Sequence, residues 1–217
     1  ASCAPVSSSA LHGLLAAPLL AIAGFSLAVA CSWEFAAVLA GYYILTLSYS
    51  LKLKRLVMID VILLAALYTV RIIGGTVAIG AEMSFWLLAF SMFIFLSLAL
   101  LKRFAELESA RLSGKQTAIG RGYSTDDLSL IQSLGTSSGY IAVMVFALYI
   151  NSPASLELYN YPKALWLLCP VLLYWISRVW MVAHRGHMHD DPIVFAVTDR
   201  ASQIVGALGA LVVLVAI

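Results

Sequence analysis

Seven apolar stretches, each close to the length of a bilayer crossing, limit what this chain can become. They run over 10–31, 33–50, 56–79, 84–101, 134–150, 164–183 and 201–217. A spanning helix needs about 20 residues, and tilt or local thinning widens this to about 17–25. Runs such as LLAAPLLAIAGFSLAVA and LVMIDVILLAALYTVRII show no strict alternation, which argues against barrel strands. With 62% hydrophobic residues, 11% charged residues and a mean hydropathy of +0.96, neither a water-soluble globule nor a disordered chain fits. A net charge of +2 gives no footprint for nucleic acid. Cys3, Cys31 and Cys169 are scattered without a CxxC and define no redox compartment. The predicted fold is all-α: a polytopic helical membrane bundle forming a single membrane domain over 1–217.

Charge sets the predicted orientation. Lys52, Lys54 and Arg55 lie in one loop; Lys102, Arg103, Arg111, Lys115 and Arg121 lie in the segment 102–133; Arg185 and Arg200 flank a third. The alternate loops hold Glu34, Glu82, Glu157 and Lys163. The basic side is therefore read as cytoplasmic, in a bacterial-type inner membrane, with the chain starting inside and Ile217 outside. Trp33, Trp86 and Tyr161 fall near the outer ends, as an aromatic belt does. The opening ASCAPVSSS lacks a basic n-region and does not read as a standard signal peptide.

The segment 102–133 is read as the largest cytoplasmic piece. Its first ten residues extend the fourth span as a polar helix, with Lys102 and Glu106 at i,i+4 and Arg103 and Glu106 at i,i+3. As surface ion pairs they contribute at most about 1 kcal/mol. Ser-Thr-Asp-Asp at 124–127 reads as a cap for the fifth span. Span three holds Asp60 and Arg71. Eleven residues turn a helix through about 1100°, so both occupy one face, roughly 16 Å apart. A charge inside a bilayer costs at least about 2.5–3.5 kcal/mol, so such residues commonly face a bundle interior and mark a site. The structural alternative is that Asp60 reaches the headgroups and Arg71 snorkels outward. Arg178 in span six poses the same choice. His184, His187, His189, Asp190 and Asp191 share one loop, but H-x-x-H-x-H matches no strong zinc pattern; a solvated loop, or a lid touching a substrate phosphate, is the preferred reading.

Lys, Arg and Tyr clustered beside carboxylates at one membrane face suit a phosphate site with Mg²⁺ ligands. Basic side chains there would neutralise a leaving diphosphate, and the adjacent apolar bundle suits a polyprenyl chain. A lipid-phosphate transferase follows, although anion transporters combine the same parts.

Several motifs sharpen this. Tyr49-Ser50-Leu51-Lys52-Leu53-Lys54, the helix-opening Asp60, Arg71-Ile72-Ile73-Gly74-Gly75, Lys102-Arg103-Phe104-Ala105-Glu106-Leu107, Asp199-Arg200 and the string SFWLL at 84–88 occur in one order. Together they resemble the UbiA-type membrane prenyltransferase superfamily, and within it the decaprenyl-phosphate phosphoribosyltransferase branch, over essentially the whole chain. The resemblance implies a nine-helix membrane fold with a cytoplasm-facing cavity, Mg²⁺ and a diphosphate-bearing substrate. In this branch a polyprenyl phosphate attacks phosphoribosyl pyrophosphate; elsewhere in the superfamily a prenyl diphosphate is transferred to an aromatic acceptor. The KRFAEL form, without a second Asp-rich motif, favours the first branch.

By the same resemblance, Lys52, Lys54 and Arg55 bind phosphate or diphosphate and Tyr49 positions it. Asp60 and Glu106 contact the metal or orient Lys102 and Arg103, which face the substrate phosphate. Asp60, Glu106 and Lys102 are the catalytic candidates. Arg71, from the Arg-x-x-x-Gly element, is a substrate-binding candidate, and Arg178 and Arg200 line the cavity mouth.

One departure stands out. The family's first Asp-rich motif, N/D-D-x-x-D-x-x-x-D, is absent around all of Asp60, Asp126, Asp127, Asp190, Asp191 and Asp199. Two further helices precede the matching point in the family. The chain is therefore expected to be the last seven of nine spans and, alone, catalytically incompetent. There is also a similarity to relatives with a haloacid-dehalogenase-like domain before the membrane part. The rival from another class is a transporter or scaffold subunit. An inverted-repeat transporter predicts internal symmetry, yet Gly74-Gly75 has no counterpart in the later spans.

Overall fold

A computed structural model describes residues 8–114, 122–188 and 191–217. Lys115 and Arg121, counted above for orientation, and His189 and Asp190, from the histidine loop, lie outside the described residues. The described residues are helical and contain no strand. The helices are α1 Ser8–Cys31, α2 Trp33–Leu51, α3 Ile59–Ala78, α4 Phe85–Leu112, α5 Leu128–Ile150, α6 Pro153–Leu158, α7 Leu168–His184, α8 Pro192–Thr198 and α9 Arg200–Ala216. Single 3₁₀ segments precede α3, α5 and α7.

All seven expected spans coincide with helices. Five helical segments, Trp33–Leu51, Ile59–Ala78, Phe85–Leu112, Thr125–Ile150 and Pro162–His184, are long and apolar enough to cross a membrane; Pro18–Cys31 and Arg200–Ala216 are shorter apolar helices. α4 continues through the KRFAEL segment to Leu112, as its polar extension predicts. α5 opens at Leu128, six residues before the hydropathy boundary, because Leu128, Leu130 and Ile131 extend the helix across intervening polar residues. The interhelical segment is thus shorter than 102–133. Two short helices, α6 and α8, occupy connections that hydropathy leaves blank.

The helix starts follow local capping chemistry. Ser32 accepts a hydrogen bond from the Phe35 N–H and Ser84 from Leu87. Ser124 and Asp127 form the reciprocal capping box that precedes α5, matching the sequence reading of this segment. The Asp199 carboxylate caps α9.

α4 is the central helix and packs against α3, α5 and α7. Leu100, Leu101, Phe104 and Leu107 of α4 meet Ile131 of α5 and Ile176, Val179 and Trp180 of α7 in the buried core. Close approach depends on glycine in α5. A Cβ on Gly135 would stand 2.2 Å from Trp180 Cζ2, and one on Gly139 would stand 2.7 Å from Ile176 Cγ2. The Ser97 hydroxyl donates to the Gly135 carbonyl at 2.7 Å and accepts from Trp180 Nε1 at 3.2 Å, tying α4, α5 and α7 together. This packing holds α4 in place, and α4 carries Lys102, Arg103 and Glu106.

Candidate active site

α3 and α4 approach each other at the basic end of the bundle, where each brings a charge. Asp60 follows the first residue of α3 and is wholly buried. Arg103 of α4 is 1% exposed, and its Nε lies 3.0 Å from Asp60 Oδ2. One turn on, Glu106 pairs with the other end of the guanidinium. The i,i+3 spacing delivers Glu106 to Arg103, as read from the sequence. The expected partner of Lys102, also Glu106, is replaced by Asp191, which meets Lys102 from the residue preceding α8. An i,i+4 spacing permits a contact without selecting it, and here tertiary structure supplies a different carboxylate.

A cavity of about 250 Å³ opens beside these groups. Tyr49, Lys102, Arg103 and Asp191 form its polar part. Leu64, Tyr68, Phe95 and Leu98 form its apolar part, and Tyr68 and Phe95 stack with ring centroids 4.9 Å apart. The cavity is therefore amphipathic, with a cation at one side and a greasy wall at the other. Lys102 and Asp191 are each about one-third exposed, at 38% and 34% of their side chains. Arg103 is buried and ion-paired with two carboxylates, so the partly exposed Lys102 is the more available cation for an incoming anion.

The other candidates are dispersed. Lys52, Lys54 and Arg55 are exposed on the turn between α2 and α3 and do not line the cavity. Arg71 shares the Asp60 face of α3, as periodicity requires, and donates to the Tyr42 hydroxyl from Nε at 3.1 Å and Nη2 at 2.6 Å. Its guanidinium also stacks over the Tyr42 and Tyr68 rings at 5.3 and 5.1 Å. Through Tyr68 it adjoins the apolar wall. Arg178 makes a two-pronged pair with Asp199, at 2.7 and 3.0 Å, linking α7 to the start of α9. Arg200 is exposed at the first position of α9. Burial would raise the Asp199 carboxyl, but the Arg178 pair and the Ser202 hydrogen bonds outweigh it and hold the group below the usual carboxylate range.

Sequence reasoning missed Tyr123. Its hydroxyl donates to Asp60 Oδ1 at 2.6 Å and accepts the Met58 N–H at 2.8 Å. Burial, then the Asp60 hydrogen bond, pushes its phenol well above the ordinary value, so it remains a neutral donor. Its place directly before the Ser124 cap is the only local signal, and that signal speaks to the helix start, not to Asp60.

Residues 7–199 match the UbiA prenyltransferase family. The chain is 38% identical over 201 residues to an uncharacterized protein of Sinorhizobium fredii, covering 92% of this chain and 39% of that protein. It is 35% identical over 210 residues to the nodulation protein NoeC of Azorhizobium caulinodans, covering 92% of this chain and 66% of that protein. It is 25% identical over 201 residues to the decaprenyl-phosphate phosphoribosyltransferase of Mycolicibacterium smegmatis, covering 89% of this chain and 63% of that protein. The chain thus spans less than two thirds of the length of the first of these relatives.

UbiA prenyltransferases act on polyprenyl phosphate lipids in membranes and generally use divalent metal ions. The carboxylates singled out from the sequence do not fit such an ion. Asp60 faces Arg103 through one oxygen and Tyr123 through the other, and Glu106 faces the same guanidinium, so a fixed cation already stands between them. Among the described residues no three His, Cys, Asp or Glu side chains cluster as metal ligands. The arrangement instead suits the orientation of Arg103, the other role open to Asp60 and Glu106. With the family match running through residues 7–199 and five helical segments of membrane-crossing length, this integral membrane protein belongs to the UbiA prenyltransferase family.

Proposed function

We propose that this chain forms a single membrane domain of a transferase that moves a phosphoribosyl group from phosphoribosyl pyrophosphate to a polyprenyl phosphate. The observation that carries this reading is the position of Lys102: a partly exposed ammonium on the wall of an amphipathic cavity, held by one carboxylate that a phosphate can replace. The similarity to a decaprenyl-phosphate phosphoribosyltransferase supports the choice of substrates.

In this reading the lipid lies along the Tyr68–Phe95 wall with its phosphate at Lys102. A phosphate oxygen attacks C1 of the ribose and forms the new C–O bond. The bond from C1 to the diphosphate breaks, and the diphosphate leaves with the electron pair. The attacking phosphate is already ionised, so no base is needed. Lys102 offsets negative charge where the phosphates converge, and Tyr49 supplies a hydroxyl on the same wall. Lys52, Lys54 and Arg55 draw the anionic substrate to this end from the adjacent turn. Arg71 flanks the apolar wall, while Arg178, clamped by Asp199, ties α7 to α9, and Arg200 lies exposed next to Asp199 in sequence. Asp60 and Glu106 hold Arg103. Mg²⁺, if carried by the diphosphate, would supply charge neutralisation for that leaving group without calling on Asp60 or Glu106. The basic end faces the cytoplasm of a bacterial-type inner membrane, where phosphoribosyl pyrophosphate is available.

The test supplies the full natural chain in membranes with two substrate sets. Phosphoribosyl pyrophosphate with a polyprenyl phosphate is expected to give a phosphoribosylated lipid. Product only from a prenyl diphosphate with an aromatic acceptor would contradict the reading and favour prenyl transfer; no product from either would favour a transporter or scaffold.

A further inference from the structure

The most heavily buried charged group of the site, the Asp60–Arg103 pair, receives a hydroxyl from the connection between α4 and α5. Tyr123 lies in the connection between α4 and α5, 63 residues from Asp60 in the chain, yet is only 3% exposed. It acts in two directions. Its O–H donates to Asp60 Oδ1, opposite the oxygen that faces Arg103. Its oxygen accepts the N–H of Met58, the non-glycine residue at positive φ (66°) that immediately precedes α3. That backbone region is unfavourable for a side chain bearing a Cβ and persists where surrounding contacts hold it. The neighbouring Gly122 fits close against the same turn: a Cβ there would stand 2.8 Å from Val57 Cγ2 and 3.4 Å from the Arg55 carbonyl. The turn carrying Lys52, Lys54 and Arg55, the start of α3 and the charged face of α4 therefore all converge on the segment 122–123.

Resting on the proposed reading of the cavity as an anion site, we propose that Tyr123 is a positioning residue: by fixing Asp60 it sets the Arg103 guanidinium and, through it, where Lys102 on the same helix turn meets the phosphate of the substrate. Asp60 faces two groups of different kinds, a guanidinium at ion-pair distance and a phenol that donates a hydrogen bond to it. Removing the phenol takes away the donor opposite Arg103 and releases the strained turn at Met58. The phenol stays protonated because burial and Asp60 both oppose its ionisation, so the donor persists across the working pH range.

The experiment is calorimetric titration of inorganic diphosphate into the detergent-solubilised full chain. Tyr123→Phe is expected to weaken diphosphate affinity about tenfold, because the cationic groups of the cavity wall are then no longer held in place before the anion arrives. Stoichiometry separates positioning from folding. A merely structural residue lowers the number of competent sites and leaves their affinity unchanged, whereas a positioning residue weakens sites that remain countable. Asp60→Asn, which keeps an acceptor for Tyr123 but loses the charge, is the second variant, and it keeps the inference testable if Tyr123→Phe does not fold. It should weaken affinity similarly, and combining the two should add little further loss. Unchanged affinity in Tyr123→Phe, or in Asp60→Asn where the former is lost, overturns this inference alone. No diphosphate binding by the unaltered protein overturns both it and the cavity reading. Diphosphate binding weakened by Tyr123→Phe, in a protein that does not use phosphoribosyl pyrophosphate, supports the inference and overturns only the proposed substrate.

Discussion

Lys102 of α4 and Asp191, immediately before α8, form an ion pair at the cavity although 89 residues separate them in the chain. The pair places a removable counter-charge on the cation best placed to receive a phosphate. Lys102→Ala should lower kcat/KM by about a hundredfold, the scale for removing one preorganised group that stabilises charge in the transition state. Asp191→Asn should act in the opposite sense on binding. Relief of one competing charge, about 1 kcal/mol in a partly hydrated setting, lowers KM for the anionic substrate about fivefold. Steady-state kinetics on the two variants check both signs.

Arg103 belongs to a different class from Lys102 despite adjoining it in sequence. It is buried between Asp60 and Glu106. Arg103→Ala should destabilise the protein by about 3–5 kcal/mol, since it strands a buried carboxylate. Replacing Asp60 and Arg103 together by leucine and methionine should cost less than either single truncation. Denaturation in detergent of the single and double variants measures this difference.

The seam between α5 and α7 offers a test independent of the chemistry. Gly135→Ala should destabilise by about 1–3 kcal/mol through overpacking, because Trp180 fills the space a Cβ would need. Gly75→Ala, where a Cβ meets nothing, should change stability little. Paired thermal melts distinguish the two.

Asp199 yields a pH prediction. Its carboxyl is held below the ordinary carboxylate range by Arg178 and Ser202 against the opposing effect of burial. A carboxyl depressed on folding contributes stability that is full above its unfolded pKa and is lost as pH falls through the folded value. The α7–α9 tie should therefore be intact at neutral pH and weaken only in acid, below the usual carboxylate range. Asp199→Asn should reduce stability at neutral pH and flatten the acid limb, as read by melting temperature against pH.

Hydropathy marks the long helices well because each crosses on apolar composition alone. It does not mark α6 and α8, which are too short to build a periodic face. The Arg103–Glu106 contact is legible because helical geometry fixes i,i+3 neighbours. Asp60 is legible as a charge in an apolar helix. Tyr123 and Asp191 reach the site from connections distant in the chain, and nothing periodic ties them to Asp60 or Lys102. Arg103 illustrates the converse: its motif is visible, but its complete burial depends on where α3 comes to rest.

Phosphoribosyl transfer is read most directly by mass analysis of lipids from membranes holding the full natural chain, phosphoribosyl pyrophosphate, Mg²⁺ and a polyprenyl phosphate. Phosphoribosyl transfer gives one new lipid carrying a ribose 5-phosphate on its phosphate, with one diphosphate released per lipid formed. An unchanged lipid pool with no diphosphate released would contradict it.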